Sequence, residues 1–336
     1  MSNNKTAVSP ATAQAQPNIA LVKYWGKRDV PLNLPAVGSL SITLDTLWTR
    51  TRERFDPTLD RDRVSLNGKS DDKEARRVSE CLDLLRVRAG CTLHAEVDSQ
   101  NNFPTGAGLA SSASGFAALV VAANAALKLD LTLSEQSEIA RRGSGSAARS
   151  IFGGFVEWSR GERSDGRDSI ARPVLQAAEW PLSVVVAVTS TAQKSVGSTE
   201  GMNRTRDTSP YYDAWVDTSE ADLAEAHRAV LDRDFDKLAA VAEYSCLKMH
   251  ALALAARPGL LYWNGATVEA MHAVRALRAS GVPVFFTVDA GPQVKAVCLP
   301  EASAQVREAL QSVSGVLRIH ETGLGAGARL IEDSAG

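Results

Sequence analysis

The sequence has few of the residues that build metal centres, nucleic-acid surfaces and membrane spans. Its four cysteines, Cys81, Cys91, Cys246 and Cys298, lie far apart in apolar contexts, which favours reduced core thiols in a cytoplasm. The five histidines are also scattered, which argues against a zinc site. The net charge is −2, from 37 basic and 39 acidic residues, so nothing indicates nucleic acid as a partner. The longest apolar run, around Phe116 to Leu127, is too short and too rich in alanine to span a bilayer.

The first sixteen residues also lack an apolar segment. They are polar and rich in Ala, Gln and Ser, which predicts a disordered tail and not a signal peptide. A chain of 336 residues suggests about two domains. We predict an N-terminal domain at residues 17–190 and a C-terminal domain at 191–330, because the character of the chain changes after Thr191.

Hydrophobic periodicity predicts a mixture of strands and helices. The first half has strand patterns within 38–56, 91–98, 152–158 and 182–189, a hairpin turn at 66–69, and helical patterns at 71–88 and 116–127. A capping-box pattern at 132–135 starts another helix, which breaks at 143–146 and restarts through Arg149. The second half has helical patterns over 210–256, 266–280 and 302–312, and strand patterns at 282–288, 295–299 and 316–320. The order helix, strand, strand, helix, strand suits a small α+β layer.

A glycine-serine loop, residues 104–115, leads into the apolar helix that starts at Phe116. Gly106 and Gly108 let the backbone approach an anion, and the helix start offers unpaired N–H groups and the positive end of its dipole. The serines of the loop add hydroxyls for a phosphate oxygen or a magnesium ion. No Gly-Lys-Ser/Thr follows the glycines, so the loop is not a Walker A motif. The alternative is a tight loop that caps a buried helix.

Two further segments carry basic side chains beside hydroxyl groups. Residues 18–27 read Asn-Ile-Ala-Leu-Val-Lys-Tyr-Trp-Gly-Lys, in which two lysines bracket an aromatic pair and suit a polyphosphate. The alternative is an edge strand with solvated lysines. Residues 141–150 place Ser146 and Arg149 on one face of a short helix, where the arginine can hold a carboxylate. The alternative here is a polar helix junction.

Two more segments follow apolar strands. Residues 194–199, Lys-Ser-Val-Gly-Ser-Thr, are small, polar and basic, and suit either phosphate oxygens or an interdomain linker. Asp289 stands at the end of the apolar strand 282–288, before a Gly-Pro turn. It caps the turn, or it is a carboxylate at the mouth of a cleft with a perturbed pKa and a catalytic role.

Taken together, these motifs resemble the diphosphomevalonate decarboxylases, members of the superfamily of galacto-, homoserine, mevalonate and phosphomevalonate kinases. The resemblance runs from about Asn18 to Glu321. The segments that resemble decarboxylase signatures are residues 18–27, Arg-Arg-Gly-Ser-Gly-Ser at 141–146 and Thr-Val-Asp-Ala-Gly-Pro at 287–292. The glycine-serine loop resembles the ATP motif that the whole superfamily shares.

The resemblance implies an α+β fold of two domains around a deep cleft. The N-terminal, ATP-binding domain is then like domain 2 of ribosomal protein S5, and the C-terminal domain is ferredoxin-like and contributes the catalytic aspartate. The implied reaction uses ATP and Mg²⁺. The 3-hydroxyl of (R)-5-diphosphomevalonate is phosphorylated, and the 3-phosphate leaves as the C1 carboxylate is lost as CO2, which yields isopentenyl diphosphate. The resemblance also implies a homodimer. The cysteines indicate a cytoplasmic protein, and the charge and the short apolar run predict no nucleic-acid or membrane partner.

The resemblance also implies roles for individual residues. Asp289 orients or deprotonates the 3-hydroxyl, Arg149 holds the C1 carboxylate, and Lys23 and Asn18 complete the catalytic set, with Asn18 bracing the aspartate and the hydroxyl. Lys23 also clamps the 5-diphosphate together with Tyr24 and Lys27, with Lys194 and Ser198 nearby, while Ser144 and Ser146 lie near substrate and the γ-phosphate. The ATP phosphates are wrapped by the loop residues Gly106, Ala107, Gly108, Leu109, Ala110, Ser111 and Ser112, and Ser112 contacts the magnesium ion.

The chain departs from the family wording at two places. Residues 35–41, Pro-Ala-Val-Gly-Ser-Leu-Ser, lack the two amides that are usual there, and Gly197-Ser198 replaces a paired serine. Decarboxylation of the monophosphate and phosphorylation by a mevalonate-type 3-kinase remain alternative activities. A non-catalytic sensor would lack Asp289 or Arg149, and another kinase of the superfamily would have a different motif at 18–27.

Overall fold

Three β-sheets of four or five strands and nine α-helices form the part of the chain that a computed structural model describes, residues 9–103, 111–192 and 194–332. The strands are β1 (Ala11–Ala15), β2 (Asn18–Val22), β3 (Lys27–Asp29), β4 (Leu34–Pro35), β5 (Ser39–Thr43), β6 (Thr49–Asp56), β7 (Arg63–Leu66), β8 (His94–Asn101), β9 (Phe155–Trp158), β10 (Ala171–Leu175), β11 (Ser183–Val188), β12 (Val284–Val288), β13 (Val294–Cys298), β14 (Arg318–Thr322) and β15 (Arg329–Ile331). The helices are α1 (Asp72–Ala89), α2 (Ser111–Ala126), α3 (Leu133–Gly143), α4 (Ala147–Ser150), α5 (Ser198–Thr208), α6 (Tyr212–Asp232), α7 (Phe235–Leu254), α8 (Gly265–Ala279) and α9 (Ser303–Gln311).

The N-terminal domain contains two sheets, and the apolar helix α2 packs against the larger one. That sheet has the strand order β15-β1-β6-β8-β7, and the smaller one has the order β10-β9-β5-β2. α2 is apolar on nearly every face because it is covered by α1, α3 and α4 as well as by the sheet. Within the described residues, no helix combines the length and the apolar character that crossing a membrane requires.

The C-terminal domain is built on one antiparallel sheet of order β12-β13-β11-β14. One face of this sheet shares a hydrophobic core with α6, α7 and the smaller N-terminal sheet, and the other face is covered by α8 and α9. β11 is central and almost wholly buried, as its apolar sequence predicts. With α5 to α8 counted as one helical connection, the order β11, helix, β12, β13, helix, β14 is the ferredoxin-like arrangement that the resemblance implies.

Local signals in the sequence are confirmed at several places. Thr132 caps α3 and forms a complete capping box with Glu135. Asn67 and Gly68 both have positive φ angles, +51° and +72°, which is the backbone conformation that the predicted hairpin turn demands. The sequence patterns miss strand β10, because its Pro173 breaks the strand signal. Proline is tolerated there because β10 lies at the edge of its sheet.

The N-terminal residues depart most from prediction. Residues 11–15, predicted as part of a disordered tail, form β1 between β15 and β6. Ala13 and Ala15 are fully buried in the same core as the alanines of α2. Alanine has low strand propensity, so the sequence carries no strand signal, yet its small side chain is what close packing of a sheet on a helix requires. Residues 1–8 of the predicted tail lie outside the described residues.

Strand pairing also corrects the predicted domain boundary. β11 lies between β13 and β14, although a boundary near residue 190 assigns it to the N-terminal domain. β15 pairs with β1, so the chain returns to the N-terminal sheet at its end. The prediction followed a change in composition, whereas membership of a sheet depends on pairing between residues far apart in sequence. We propose a boundary between β10 and β11, with β15 belonging to the N-terminal domain.

Candidate active site

A cleft of about 1110 Å³ lies between the two domains. It brings together twelve residues that the sequence predicts as functional: Asn18, Lys23, Tyr24, Lys27, Ser111, Ser112, Ser144, Ser146, Arg149, Lys194, Ser198 and Asp289. The other five, Gly106, Ala107, Gly108, Leu109 and Ala110, lie outside the described residues. The clusters predicted separately along the chain therefore converge on one cavity.

Asp289 follows the last residue of β12 and sits between two lysines. Its Oδ1 accepts a hydrogen bond from Nζ of Lys23 at 2.6 Å, and its Oδ2 lies 3.1 Å from Nζ of Lys295. Lys23 follows β2 and Lys295 is on β13, so the network links the smaller N-terminal sheet to the C-terminal sheet. Both lysine side chains are buried, whereas 27% of the Asp289 side chain is exposed at the cleft.

These charges keep Asp289 ionised. Burial raises the pKa of the Asp289 carboxyl, but the ammonium groups of Lys23 and Lys295 outweigh burial and hold that pKa well below its usual range. Burial lowers the pKa of Lys295, and the Asp289 carboxylate opposes that shift. At neutral pH, Asp289 is therefore an anion that accepts hydrogen bonds, which suits it to orient a hydroxyl group.

Arg149, on α4, is buried at the cleft, and its side chain donates hydrogen bonds to neutral groups. Its Nε and Nη2 donate to Oδ1 of Asn18 at 3.1 and 3.0 Å, and its Nη1 donates to Oγ of Ser39 at 2.6 Å. Burial lowers the pKa of Arg149 to about 10, so the guanidinium is charged at neutral pH. Because these hydrogen-bond partners are neutral, its positive charge stays available to an anionic ligand such as a carboxylate.

Asn18 braces the arginine and not the aspartate, which corrects the role implied by the resemblance. Its Oδ1 accepts from Arg149, and its Nδ2 donates to the carbonyl of Ser146 at 3.0 Å and to Oγ of Ser150 at 2.8 Å. Both amide protons are used, so none is left for Asp289. Asn18 lines the cleft, but the partner of a side-chain amide is decided by tertiary structure.

Tyr24 and Lys27 line another part of the cleft. Oη of Tyr24 is buried and has no hydrogen-bond partner among the described residues, and burial raises the pKa of the phenol above its usual value. The tyrosine packs so closely on Gly145 that a Cβ there would lie 2.6 Å from Oη. Burial, together with Arg77, lowers the pKa of Lys27 to about 8. The site thus offers a neutral hydroxyl and a cation that titrates near physiological pH.

Lys194 lies beside Asp289 at the start of α5. Its Nζ donates to Oγ of Ser198 at 2.9 Å and to the carbonyl of Ala290 at 3.3 Å. Burial lowers the pKa of Lys194, and the Asp289 carboxylate counteracts this. α5 begins at Ser198 without a side-chain cap, so its first N–H groups are free to meet an anion in the cleft.

The start of α2 separates the cleft from a second cavity of about 560 Å³. Ser111 and Ser112 line both spaces, and Oγ of Ser112 lies 3.3 Å from Oγ of Ser144. The second cavity is bounded by strands of the larger sheet and by apolar side chains of α2, among them Phe116. A planar apolar group with a phosphate tail would therefore extend from this cavity past the start of α2 into the cleft.

Oxygen donors at this junction fit Mg²⁺ better than a softer metal. In the described ranges no group of three or more His, Cys, Asp or Glu side chains could hold a metal ion. The hydroxyls of Ser112 and Ser144 are hard donors, and Mg²⁺ characteristically takes most of its ligands from phosphate oxygens and water. A magnesium ion would thus be held chiefly by the phosphates of a bound nucleotide.

Comparisons with known proteins agree over almost the whole chain. Residues 15–171 match the family model described as a diphosphomevalonate decarboxylase-like N-terminal domain, and residues 184–325 match that of a mevalonate 5-diphosphate decarboxylase C-terminal domain. The chain belongs to the diphosphomevalonate decarboxylase family.

Individual family members support the assignment. The diphosphomevalonate decarboxylase of Homo sapiens is 38% identical over 89% of this chain and 79% of its own. The mevalonate diphosphate decarboxylase structure from Staphylococcus aureus is 38% identical, with a TM-score of 0.91 over 97% of this chain and 99% of that one. A structure described as MDDEF in complex with MVAPP, AMPPCP and magnesium is 40% identical, with a TM-score of 0.90 over 98% and 100% of the two chains. The predicted α+β, two-domain fold class is confirmed.

Sequence reasoning missed several residues of this decarboxylase-family site. Lys295 escaped notice because a lone lysine in the apolar strand β13 has no motif of its own. Lys73 and Arg77 of α1 line the cleft, and their spacing of four residues on one helix face was the available signal. Ser39 belongs to the segment whose wording departs from the family, and it supplies the contact to Arg149 described above.

Helix α7 contributes a row of polar side chains that hold β12, the strand before Asp289. β12 is an edge strand, and its free backbone groups are met by Glu243, which accepts from Phe286 N–H, and by Cys246 and His250, which bond the backbone of Val288. On the same helix, Oγ of Ser245 accepts the N–H of Lys23 at 3.0 Å. α7 therefore fixes the backbone on both sides of the Lys23–Asp289 ion pair.

Proposed function

We propose that this protein catalyses the ATP-dependent decarboxylation of (R)-5-diphosphomevalonate to isopentenyl diphosphate, ADP, phosphate and CO2, a step of the mevalonate pathway of isoprenoid biosynthesis. The observation that carries the proposal is the pairing, in one cleft, of an ionised aspartate with an arginine whose hydrogen-bond partners are all neutral. This reaction needs an anion to orient the 3-hydroxyl and a cation to hold the C1 carboxylate. The related MDDEF structure, which contains MVAPP, AMPPCP and magnesium, supports the choice of substrate, nucleotide and metal.

We assign the orientation of the 3-hydroxyl to Asp289. Its exposed edge faces the cleft, and its carboxylate accepts the hydroxyl proton in a hydrogen bond that directs the oxygen lone pair toward the γ-phosphate. Lys23 and Lys295 make the carboxylate a weak base, so orientation contributes more than full proton removal. Phosphorylation converts the tertiary hydroxyl into a phosphate, which is a good leaving group.

We assign the C1 carboxylate to Arg149. The guanidinium is fixed by Asn18 and Ser39 before substrate arrives, so little ordering is left to occur on binding. When the bond from C3 to the phosphate oxygen breaks, the electrons of the C1–C2 bond form the new C2–C3 double bond, and CO2 and phosphate leave. Arg149 thereby selects a substrate with a carboxylate next to the reacting carbon.

The 5-diphosphate fits the basic part of the cleft. Tyr24 supplies a hydroxyl that has no hydrogen-bond partner in the described part of the chain. Lys27 and Lys194 supply charge, and Ser198 adds a hydroxyl at the start of α5. Lys73 and Arg77 extend this basic lining along α1. We propose that Ser144 and Ser146 lie between the substrate and the γ-phosphate.

ATP is proposed to occupy the second cavity and the start of α2, with Gly106 to Ser112 around its phosphates. Ser112 would contact Mg²⁺, which neutralises phosphate charge during transfer. Ser111 and Ser112 are placed for this role because they line both the nucleotide-sized cavity and the cleft. The N–H groups at the start of α2 favour an anion at the same place.

Parallel product assays test the function. Purified protein with Mg²⁺ and ATP is given 5-diphosphomevalonate or 5-phosphomevalonate, and ADP and CO2 are both measured. We expect equal amounts of ADP and CO2 from the diphosphate only. Both products from the monophosphate alone would identify a phosphomevalonate decarboxylase, and ADP without CO2 would identify a 3-kinase and refute the role of Arg149.

We further propose a cytoplasmic homodimer. The four cysteines are free, as a reducing compartment would leave them. Large apolar side chains are exposed around the ends of α5 and α7, at Tyr211, Leu254 and Leu261, and a hydrogen bond from Arg257 N–H to Thr208 Oγ1 joins these two helix ends. Sedimentation equilibrium would distinguish a dimer from a monomer.

A further inference from the structure

Lys295 gives the catalytic aspartate a second counter-ion from a different element. Each oxygen of Asp289 faces its own ammonium group, with Lys23 at 2.6 Å from Oδ1 and Lys295 at 3.1 Å from Oδ2. Lys295 stands opposite Thr287 in the register of β12 and β13, two residues before the aspartate. Two fixed cations on the two oxygens prevent the carboxylate from rotating about its terminal bond.

Lys295 cannot act on substrate directly. Its side chain has no exposed surface, whereas Asp289 and Lys23 both line the cleft. A buried lysine is costly unless an anion compensates its charge, and Asp289 is the carboxylate that lies next to it. An effect of Lys295 on the reaction therefore passes through the residues that it contacts, foremost Asp289.

We propose that Lys295 is a positioning residue, which keeps Asp289 ionised and fixes its orientation so that the carboxylate orients the 3-hydroxyl without retaining its proton. This inference rests on the function proposed above. A protonated Asp289 would leave two buried ammonium groups without an anion, so the hydroxyl proton passes to an oxygen of the transferred phosphoryl group and does not stay on the carboxylate. Lys23 alone would leave one oxygen of Asp289 free to turn and to hold a proton.

The pKa of Asp289 is set by charges from several directions. Burial raises it, and the ammonium groups of Lys23 and Lys295 lower it to a greater extent. The other titratable or charged groups that interact with this carboxylate come from the segment before α5, from α4 and from α7, and are Lys194, Arg149, Cys246 and His250. Of these, burial lowers the pKa of His250 to about 3, so it is neutral during acid titration of the aspartate down to that range.

The test replaces Lys295 by methionine, which fills a similar volume without charge. Compared with the wild type, we expect Lys295→Met to lower kcat about 10- to 100-fold while KM stays within about threefold, because the carboxylate is misplaced and not the substrate. We also expect the acid limb of the kcat profile to move up by roughly one pH unit, because Asp289 has lost one of two opposite charges. The profile is measured at saturating substrate, where kcat reports groups of the bound complex and titration of the free substrate does not enter.

Two further variants separate positioning from general loss of structure. Lys295→Arg keeps the charge and should recover most of the pH profile. Lys248→Met removes the partly buried lysine that pairs with Asp222 between α6 and α7, away from the cleft, and should lower stability without moving the profile. A wild-type kcat and pH profile in Lys295→Met, or an equal shift in Lys248→Met, would overturn the proposal.

A readout without turnover separates this proposal from the proposed function. Asp289 has a lowered folded-state pKa, so its contribution to the free energy of unfolding is present above the unfolded pKa of about 4 and is lost as the pH falls below it. We expect the decrease in the free energy of unfolding at acid pH to be largest in the wild type, smaller in Lys295→Met and smallest in Asp289→Asn. An equal loss in wild type and Lys295→Met would refute the coupling, whereas absence of ADP and CO2 from the wild type would refute only the function.

Discussion

The amide oxygen of Asn18 accepts hydrogen bonds from both Nε and Nη2 of Arg149, at 3.1 and 3.0 Å. A carboxylate at this position would hold the guanidinium equally well in geometry, but it would also neutralise it. The amide fixes the arginine and leaves its charge for a ligand. Because position 18 is an amide and not a carboxylate, Arg149 keeps its positive charge and can bind an anionic ligand.

Asn18→Asp tests this directly. We expect kcat/KM for 5-diphosphomevalonate to fall about 100-fold, or about 2.7 kcal/mol, because the substrate carboxylate must compete with a fixed ion pair. The melting temperature should fall only in part, because the new ion pair offsets the loss of the two bonds that Nδ2 donates to the carbonyl of Ser146 and to Oγ of Ser150. The matched variant Asn18→Leu should lose activity together with stability, because Arg149 is left buried without its acceptor. Full activity in Asn18→Asp would show that Arg149 can bind the substrate carboxylate even when another carboxylate neutralises its charge.

Lys27 predicts a pH dependence of substrate binding. Its pKa of about 8 means that the ammonium is charged at pH 7 and loses its proton as the pH rises through 8. We expect KM for 5-diphosphomevalonate to rise by roughly tenfold, or about 1.4 kcal/mol, between pH 7 and pH 9 as this charge is lost. Lys27→Arg should remove the rise, while Lys237→Arg on exposed α7 surface should not. A rise that persists in Lys27→Arg would assign the titration to another group.

Asp289→Ala should separate chemistry from nucleotide binding. We expect turnover to fall by about 10²- to 10⁴-fold, the range for loss of a catalytic acid or base, with little change in ATP affinity measured by calorimetry. Asp213→Ala, at the start of α6, serves as the control for loss of an acidic side chain. Near-normal turnover in Asp289→Ala would remove this residue from the mechanism.

Glu53 predicts a stability that falls with rising pH. Its side chain is fully buried on β6, and neither carboxylate oxygen has a hydrogen-bond partner among the described residues. Burial raises the pKa of Glu53 well above its usual value. Between the unfolded pKa of about 4.3 and the raised folded pKa, the folded chain keeps a proton that the unfolded chain has lost, so this group lowers stability by about 1.4 kcal/mol per pH unit.

Glu53→Gln should abolish that slope and be more stable than the wild type at pH 8. The free energy of unfolding, measured in urea at several pH values, provides the comparison. Glu96→Gln, on the neighbouring strand β8 and half exposed, should leave the slope unchanged. Parallel pH profiles of wild type and Glu53→Gln would mean that Glu53 does not titrate in this window.

The sequence predicts which residues line the cleft better than it predicts their hydrogen-bond partners. Asp289 is visible because an aspartate ends an apolar strand before a Gly-Pro turn, and Arg149 because a helix restarts after Gly143. Asn18 is visible as part of a motif, but its contact with Arg149 joins residues 131 positions apart. No local pattern specifies such a contact, since it depends on how α4 packs beneath β2.

The missed residues share a physical cause. Lys295 stands in a strand whose other residues are apolar, so periodicity assigns the strand correctly and treats the lysine as an exception. Ala13 and Ala15 carry no strand preference, yet they are the residues that let β1 lie against α2. In both cases the side chain suits a residue that is distant in sequence and close in the fold, and it does not follow the pattern of its own strand.

The chain crosses between the two domains twice, once between β10 and β11 and once between β14 and β15. The second crossing is tied down by its backbone, because Gly325 donates to the carbonyl of Thr43 at 2.7 Å and accepts from the N–H of Gly154 at 2.9 Å. The chain that leaves the domain of Asp289 is therefore bonded at once to the end of β5 and to the residue before β9, both in the domain of Arg149. These bonds limit how far the two residues can move apart.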